Sequence, residues 1–296
     1  MKLPLLYKDR RGDGDTPIRQ SQLVSLHVLE VFKRICEDHG LQFWLAHGTL
    51  LGALRHRGFV PWDDDVDVWI TKADYEKFLS FAADELPDDV FLDMPNSEEA
   101  YRQENQLTRL RDNYSTGFLK HNKRLLVNDH HGIGIELFVL EESGGRCALS
   151  SWFLHRYMSG RGYYRRACYD RVTVTNLLKK WYLAVAMFLP CVVWRIIQIL
   201  AVKKKYLLQT NFYTAWKWWM PVDWFLRPHE KTRTTVFEGI EMPIPFEAEK
   251  FLEMQYGDWQ KLPSEDKRKG YLWLIFPTTP CLHPAAMRYC STAGGS

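Results

Sequence analysis

Four aspartates crowd into five positions in the run Trp62-Asp63-Asp64-Asp65-Val66-Asp67-Val68. From Asp65 to Ile70 acids alternate with apolar residues before Trp69, which is strand periodicity. On such a strand Asp65 and Asp67 point to one face, while Val66, Val68 and Ile70 point to the other. Two carboxylates held that close raise each other's pKa unless a cation lies between them. A hard divalent ion resolves the repulsion, and Mg²⁺ or Mn²⁺ takes one or two carboxylates together with substrate phosphate oxygens. A third candidate ligand is Glu136, in Gly134-Ile135-Glu136-Leu137-Phe138-Val139. It alternates with apolar neighbours, and burying an unpaired acid there costs several kcal/mol. An acid satisfied by an ion pair is the other reading of Glu136. Asp63, Asp65 and Asp67 also match positions 1, 3 and 5 of an EF-hand loop. Val68 stands where that loop needs Gly, and Asp74 where it needs Glu, so the match fails.

About fifteen residues upstream, Ala46-His47-Gly48-Thr49-Leu50-Leu51-Gly52 places a Gly and a hydroxyl between a short strand and a helix. A helix start offers free N–H groups and the positive end of the dipole to a phosphate. The elements that must carry these residues follow from periodicity. Residues 21–39 read as a helix on the stripe Val24, Val28, Val31 and Ile35. Phe43–Ala46 reads as a strand, and the Gly48-Thr49 turn opens a short helix. After the acidic strand, Thr71 caps a helix with Asp74 three positions on; Tyr75, Phe78, Leu79 and Ala82 form its apolar face. Leu107–Asp112 and Gly132–Leu140 read as further strands, Thr235–Ile244 as a strand or hairpin arm, and Phe246–Gln255 as a helix. The rest is expected to be a Pro-rich tail. The fold class is α/β (α+β), a small mixed sheet with flanking helices.

The string from Gly48-Thr49 through Arg55-His56-Arg57-Gly58-Phe59-Val60-Pro61-Trp62-Asp63-Asp64-Asp65-Val66-Asp67, followed by Glu136, resembles the LicD family within the nucleotidyltransferase superfamily. Arg109-Leu110-Arg111-Asp112, Phe237-Glu238-Gly239-Ile240 and Tyr256-Gly257-Asp258-Trp259 extend the likeness. It covers most of residues 21–265. Many family members carry Asp where this chain has Glu136, and either acid ligates Mg²⁺. The resemblance implies a nucleotidyltransferase-like fold. It also implies transfer of a phospho-alcohol from CDP-choline or another CDP-alcohol to a glycan hydroxyl, with release of CMP. Lipopolysaccharide or teichoic acid modification is the implied setting.

In that reading Asp65 and Asp67, with Glu136, hold the metal, and Gly48 and Thr49 hold a phosphate. Arg55, Arg109 and Arg111 are candidate phosphate contacts. Arg109 and Arg111 share a strand face, and a surface ion-pair ladder is their other reading. Asp63 or Asp64 is the candidate base. Nucleotidyl transfer from an NTP and a non-catalytic membrane- or glycan-binding module are the competing classes.

The 296 residues have a formal net charge of +3, but the balance is uneven. Residues 1–140 are net acidic. Residues 146–233 carry 16 basic and 3 acidic side chains and seven of the 12 tryptophans. This organisation suggests a leader of little structure over 1–20, a catalytic core over 21–145, a basic aromatic helical region over 146–233, and a completing part over 234–296. Residues 181–202 run 22 positions with one charge, Arg195. That length spans a bilayer. Arg195, Pro190 and basic flanks on both sides favour helices lying in the membrane plane over a span or a buried core helix. The expected location is the cytoplasmic side of the cell membrane, with peripheral or re-entrant attachment. The six cysteines form no CxxC pair, which suits a reduced compartment. Nucleic acid is not an expected partner.

Overall fold

The computed structural model describes residues 10–94, 107–119, 130–144, 192, 205–209, 219–227, 230–270 and 272–280. Contacts divide the chain into two units. The first comprises residues 1–94, 108–138 and 231–296, and the second residues 95–107 and 139–230.

The first unit is built on a mixed sheet. Its strands are β1 (Phe43–Leu45), β2 (Val66–Thr71), β3 (Val90–Asp93), β4 (Thr108–Asp112) and the first half of β6 (Gly134–Gly144), in the order β1-β2-β6-β4-β3. β1 runs antiparallel to β2, and β4 runs antiparallel to both β6 and β3. Strand alternation assigns the two faces. Phe43, Val66, Val68 and Ile70, all buried, face helices α1 (Pro17–Asp38) and α3 (Lys72–Glu85). The ring of Phe32 from α1 lies 5.1 Å from Phe43 and 5.3 Å from Phe78 of α3. The opposite face carries Asp67 and Trp69, and there helix α2 (His47–His56) and helix α4 (Ala248–Tyr256) pack. Trp69 meets Phe251 of α4 edge-on at 4.6 Å.

Local chemistry explains the boundaries. α1 begins one turn before the expected residue 21, because Pro17 occupies its first position and Thr16 accepts the Arg19 N–H. Thr71 caps α3 by accepting the Asp74 N–H at 3.2 Å, as its spacing predicts. α2 ends at Arg57 in the left-handed region, with Arg55 and His56 in the last turn. β9 (Thr234–Phe237) and β10 (Ile240–Pro243) form a complete hairpin where a single strand or hairpin arm is expected, turned by Glu238 and Gly239, both at positive φ.

Three expectations need correcting. Within the expected leader, Arg11–Asp13 form a 3₁₀ turn, Arg11 is buried, and α1 already begins at Pro17. The C-terminal stretch is not only a Pro-rich tail. β11 (Leu272–Phe276) pairs with β5 (Thr116–Leu119), a pairing between segments too far apart for local signals to reveal. Lys205–Gln209, taken into a helical block, is strand β7. In the second unit β7 pairs with the outer half of β6, from Leu140 to Gly144, and with β8 (Trp219–Pro221). Most of the basic region 146–233, including all of 181–202 except Val192, lies outside the described residues. Among the described residues no helix is long and apolar enough to cross a membrane.

Arg11 joins chain segments far apart in sequence. Its guanidinium donates to both carboxylate oxygens of fully buried Asp112, at 2.8 and 3.2 Å. It also donates to the carbonyls of Tyr114 and Pro277, at 3.0 and 2.8 Å. Removing one partner of a buried pair leaves an uncompensated charge. Arg11→Ala should therefore destabilise the protein by about 3–5 kcal/mol, read as a lowered midpoint in urea unfolding. A loss under about 1 kcal/mol would place the pair among weak surface bridges.

Candidate active site

The acidic loop enters β2 through a turn held by backbone bonds. The Asp63 N–H donates to the Val60 carbonyl at 2.9 Å. β2 begins at Val66, so Asp65 sits just before the strand and Asp67 within it. One carboxylate oxygen from each of Asp63, Asp64 and Asp65 lies within 4.8 Å of the others. The Asp63 and Asp65 carboxyls lie close enough to interact directly, and two carboxylates that near repel when both are ionised. Burial and the charge of Asp64 push Asp63 up to about 6. Burial and the charges of Asp63, Asp67 and Glu136 hold Asp65 well above the usual carboxylate range. Asp67 is raised likewise by burial and by Glu136 and Asp63. The common cause is concentrated negative charge, which Gly48 and Arg109 offset in part at Asp67 and which a proton or a cation would relieve further.

The Gly48-Thr49 turn serves this cluster directly. The Gly48 N–H donates to the Asp67 carboxylate, and the Thr49 hydroxyl accepts the Asp67 N–H at 2.8 Å. Gly48 also lets Asp63 approach closely: a Cβ built there would lie 2.6 Å from Asp63 Oδ2 and displace that carboxylate. The groups expected to hold a phosphate thus hold Asp67 and admit Asp63. His47, which opens α2, adopts φ 41°. Its ring sits 4.8 Å from Phe138 and 5.1 Å from Trp69. Such left-handed backbone costs a non-glycine residue about 1–3 kcal/mol, and the three aromatic contacts around the ring, Phe251 being the third, oppose that cost.

Across the sheet, Arg109 on β4 stands directly opposite Glu136 on β6 and donates to it through Nε at 2.8 Å. Arg111 donates to Asp93 of β3 through Nε and to the Gly132 carbonyl through Nη1, both at 2.8 Å. The expected shared face of Arg109 and Arg111 is present, and so is the ion-pair ladder. Unlike a surface ladder, it is largely buried, with Arg109 only 5% exposed. A cleft runs in front of it, lined by Asp64, Asp65, Arg109, Arg111, Gly132 and Glu136 among others. Glu136 therefore faces the cleft with an arginine already on it. Arg55 points elsewhere, donating to the Trp259 carbonyl at 2.8 Å and through Nε to His56.

Several contributors escape a reading by residue type. The Gln22 side chain of α1 donates to the Asp63 carbonyl at 2.8 Å and to the Val60 carbonyl at 3.2 Å. Gly270 presses on Asp64, so closely that a Cβ there would lie 2.2 Å from Oδ2. Arg268 lies over the Trp62 ring at 5.4 Å. No spacing rule reaches these residues; the Phe237-Glu238-Gly239-Ile240 string was the one signal that the hairpin mattered.

Residues 40–160 match the family model described as LicD/FKTN/FKRP, nucleotidyltransferase domain. Over 62 residues the chain is 45% identical to the lipopolysaccharide cholinephosphotransferase LicD of Haemophilus influenzae, covering 21% of this chain and 23% of that protein. Over 36 residues it is 50% identical to the ribitol 5-phosphate transferase FKRP of Homo sapiens, covering 12% and 7%. Over 58 residues it is 36% identical to the ribitol-5-phosphate transferase FKTN of Mus musculus, covering 20% and 13%. The aligned stretches span less than a quarter of each of these relatives. The acidic loop, the turn that holds Asp67 and these matches agree: over residues 40–160 the chain carries a domain of the LicD family.

Proposed function

We propose that this chain is a divalent-metal-dependent transferase. It moves a phospho-alcohol, phosphocholine first among candidates, from a CDP-linked donor to a hydroxyl of a cell-surface glycan or lipid-linked saccharide. The observation that carries the reading is the cluster of Asp63, Asp64 and Asp65 oxygens within 4.8 Å, opening on a cleft that also holds two arginines. The names of the LicD and FKRP relatives supply the class of group transferred.

The donor set fits a hard cation. All its atoms are carboxylate oxygens, and their closeness leaves a repulsion that a cation between them would relieve. Asp65 and Asp67, with Asp63 or Glu136, would hold Mg²⁺ or Mn²⁺. Bound there, the ion would supply Lewis-acid neutralisation of charge on the donor's diphosphate. The remaining work belongs to the chain. Arg109 and Arg111, fixed in direction by Glu136 and Asp93, orient the donor phosphates. The acceptor oxygen attacks the phosphorus that bears the alcohol, the bond from that phosphorus to the bridging oxygen breaks, and CMP departs with the electron pair. Asp63 or Asp64, whichever does not hold the ion, takes the hydroxyl proton. The Gly48 and Thr49 bonds keep Asp67 aimed at the site. The basic aromatic region 146–233 is assigned to the cytoplasmic membrane surface, where a lipid-linked acceptor lies.

Asp65→Asn and Asp67→Asn should each lower CMP release from CDP-choline by more than the ~10²–10³-fold of one lost oxyanion donor, with circular dichroism unchanged. Turnover retained in either variant with divalent metal present sinks the metal-site reading. Pyrophosphate from CTP, with no CMP from any CDP-alcohol, would indicate nucleotidyl transfer instead.

A pH dependence follows from the raised carboxyls. An acid raised on folding binds its proton more tightly in the folded chain. Its contribution is therefore complete below its unfolded pKa of 3.8 and is lost as pH rises through the folded value, about 6 for Asp63. Without divalent ions, Tm should fall between pH ~4.5 and ~7.5; saturating Mn²⁺ should flatten or reverse that slope. A Tm at pH ~7.5 that Mn²⁺ leaves unmoved would count against a cation among these acids.

A further inference from the structure

The acidic loop is anchored from outside itself. Its outer turn, Gly58 to Asp63, lies against α1 and the tip of the β9–β10 hairpin, and a chain of hydrogen bonds joins the three. Glu238 at the hairpin tip accepts the Phe59 N–H at 3.1 Å. The Glu238 N–H in turn donates to the Arg57 carbonyl at 2.9 Å, so tip and turn hold each other in both directions. Arg19 grips the Glu238 carboxylate through both terminal nitrogens, at 2.6 and 3.1 Å. The same Arg19 Nη1 donates to Gln22 Oε1 at 3.1 Å. That contact sets which way the Gln22 amide faces, and its Nε2 then donates to the carbonyls of Val60 and Asp63. The last bond falls on the backbone of the first aspartate in the cluster. The Phe59 and Phe237 rings, 4.9 Å apart, and Gly58, whose Cβ would lie 2.3 Å from Glu238 Oε1, leave the joint no slack.

The backbone at the tip strengthens the case. Glu238 is a non-glycine residue at φ 54°, followed by Gly239 at φ 84°. A two-residue turn of this kind prefers Asn or Gly at the first position. Glu is tolerated there because its carboxylate has work that neither can do: reaching an arginine and a backbone N–H together.

We propose that Glu238, Arg19 and Gln22 form a positioning brace, which fixes the backbone of the acidic loop so that the Asp63, Asp64 and Asp65 carboxylates converge before any cation or donor arrives. None of the three touches the cleft. They act through Phe59, Val60 and Asp63, as positioning residues. The inference rests on the transferase reading for its effect on turnover, and on geometry alone for its effect on the loop.

The test uses the full chain and four variants: Gln22→Ala, Gln22→Glu, Glu238→Ala and Glu238→Gln. The first readout is amide hydrogen exchange of peptides covering residues 58–65, in the absence of metal. The second is Mn²⁺ half-saturation by electron paramagnetic resonance. The third is kcat and KM for CMP release from CDP-choline. Gln22→Ala and Glu238→Ala should speed exchange in 58–65 and raise Mn²⁺ half-saturation, each about tenfold. They should lower kcat on the order of tenfold, with KM for the donor within about twofold. Gln22→Glu should be worse than Gln22→Ala, because it sets a carboxylate against two carbonyl oxygens. Glu238→Gln keeps an oxygen for the Phe59 N–H and should recover part of what Glu238→Ala loses. A merely structural role would lower Tm without this ordering. If Gln22→Ala fails to fold, the Glu238 pair decides. Exchange in 58–65 within about twofold of wild type in the folded alanine variants overturns the brace, whatever the turnover. Absence of both Mn²⁺ binding and CMP release in the wild-type protein overturns the transferase reading, and exchange still decides the brace.

Discussion

The mutual repulsion of Asp63, Asp64, Asp65 and Asp67 is the constraint to which the rest of the first unit answers. Carboxylates brought this close and shielded from water favour loop conformations that spread them apart. The fold opposes that tendency at every side. β2 carries Asp67 between buried Val66 and Val68, so its direction is set by the sheet. The first turn of α2 meets it with one N–H and one hydroxyl. Gly270 closes over Asp64. Each of these contacts is ordinary alone; together they stabilise an arrangement that simple electrostatics disfavours.

The two cleft arginines obey the same logic with the opposite sign. A guanidinium as buried as Arg109 needs a counter-charge within the protein, and Glu136 supplies it from the facing position on β6. Asp93 does the same for Arg111 from β3. The pairs turn flexible side chains into fixed ones, which would lower the entropy lost in recognising an anion on the proposed reading. Glu136 thereby faces two partners, the Arg109 guanidinium and the Asp65–Asp67 acids whose pKa values it raises.

Much of this was legible in the residues, for reasons that separate local from distant causes. The acid–apolar alternation at 65–70, the Thr71–Asp74 cap and the stripe of α1 are local signals, and the structure honours them. The Arg109–Arg111 face was legible because strand parity is a local rule. β3 is four residues long and offers too little pattern to stand out. The pairing of β5 with β11 and the reach of Arg11 to Asp112 join segments more than a hundred residues apart, where no periodicity operates. From residue types alone, the Gly48-Thr49 turn has the chemistry of a phosphate-binding helix start. The structure shows its N–H and hydroxyl engaged by an aspartate of the same chain, a contact that requires knowing which strand lies alongside.

One feature bears on how this protein is divided for study. The stretch matched to the family begins at residue 40 and ends at 160. The bond that holds the Asp63 backbone comes from Gln22, and the acceptor for the Phe59 N–H comes from Glu238. Both lie outside that stretch, one on each side. A fragment cut at the homology boundaries would keep every acidic side chain and lose what aims them. Loop order or metal binding measured on such a fragment would describe the cut rather than the protein.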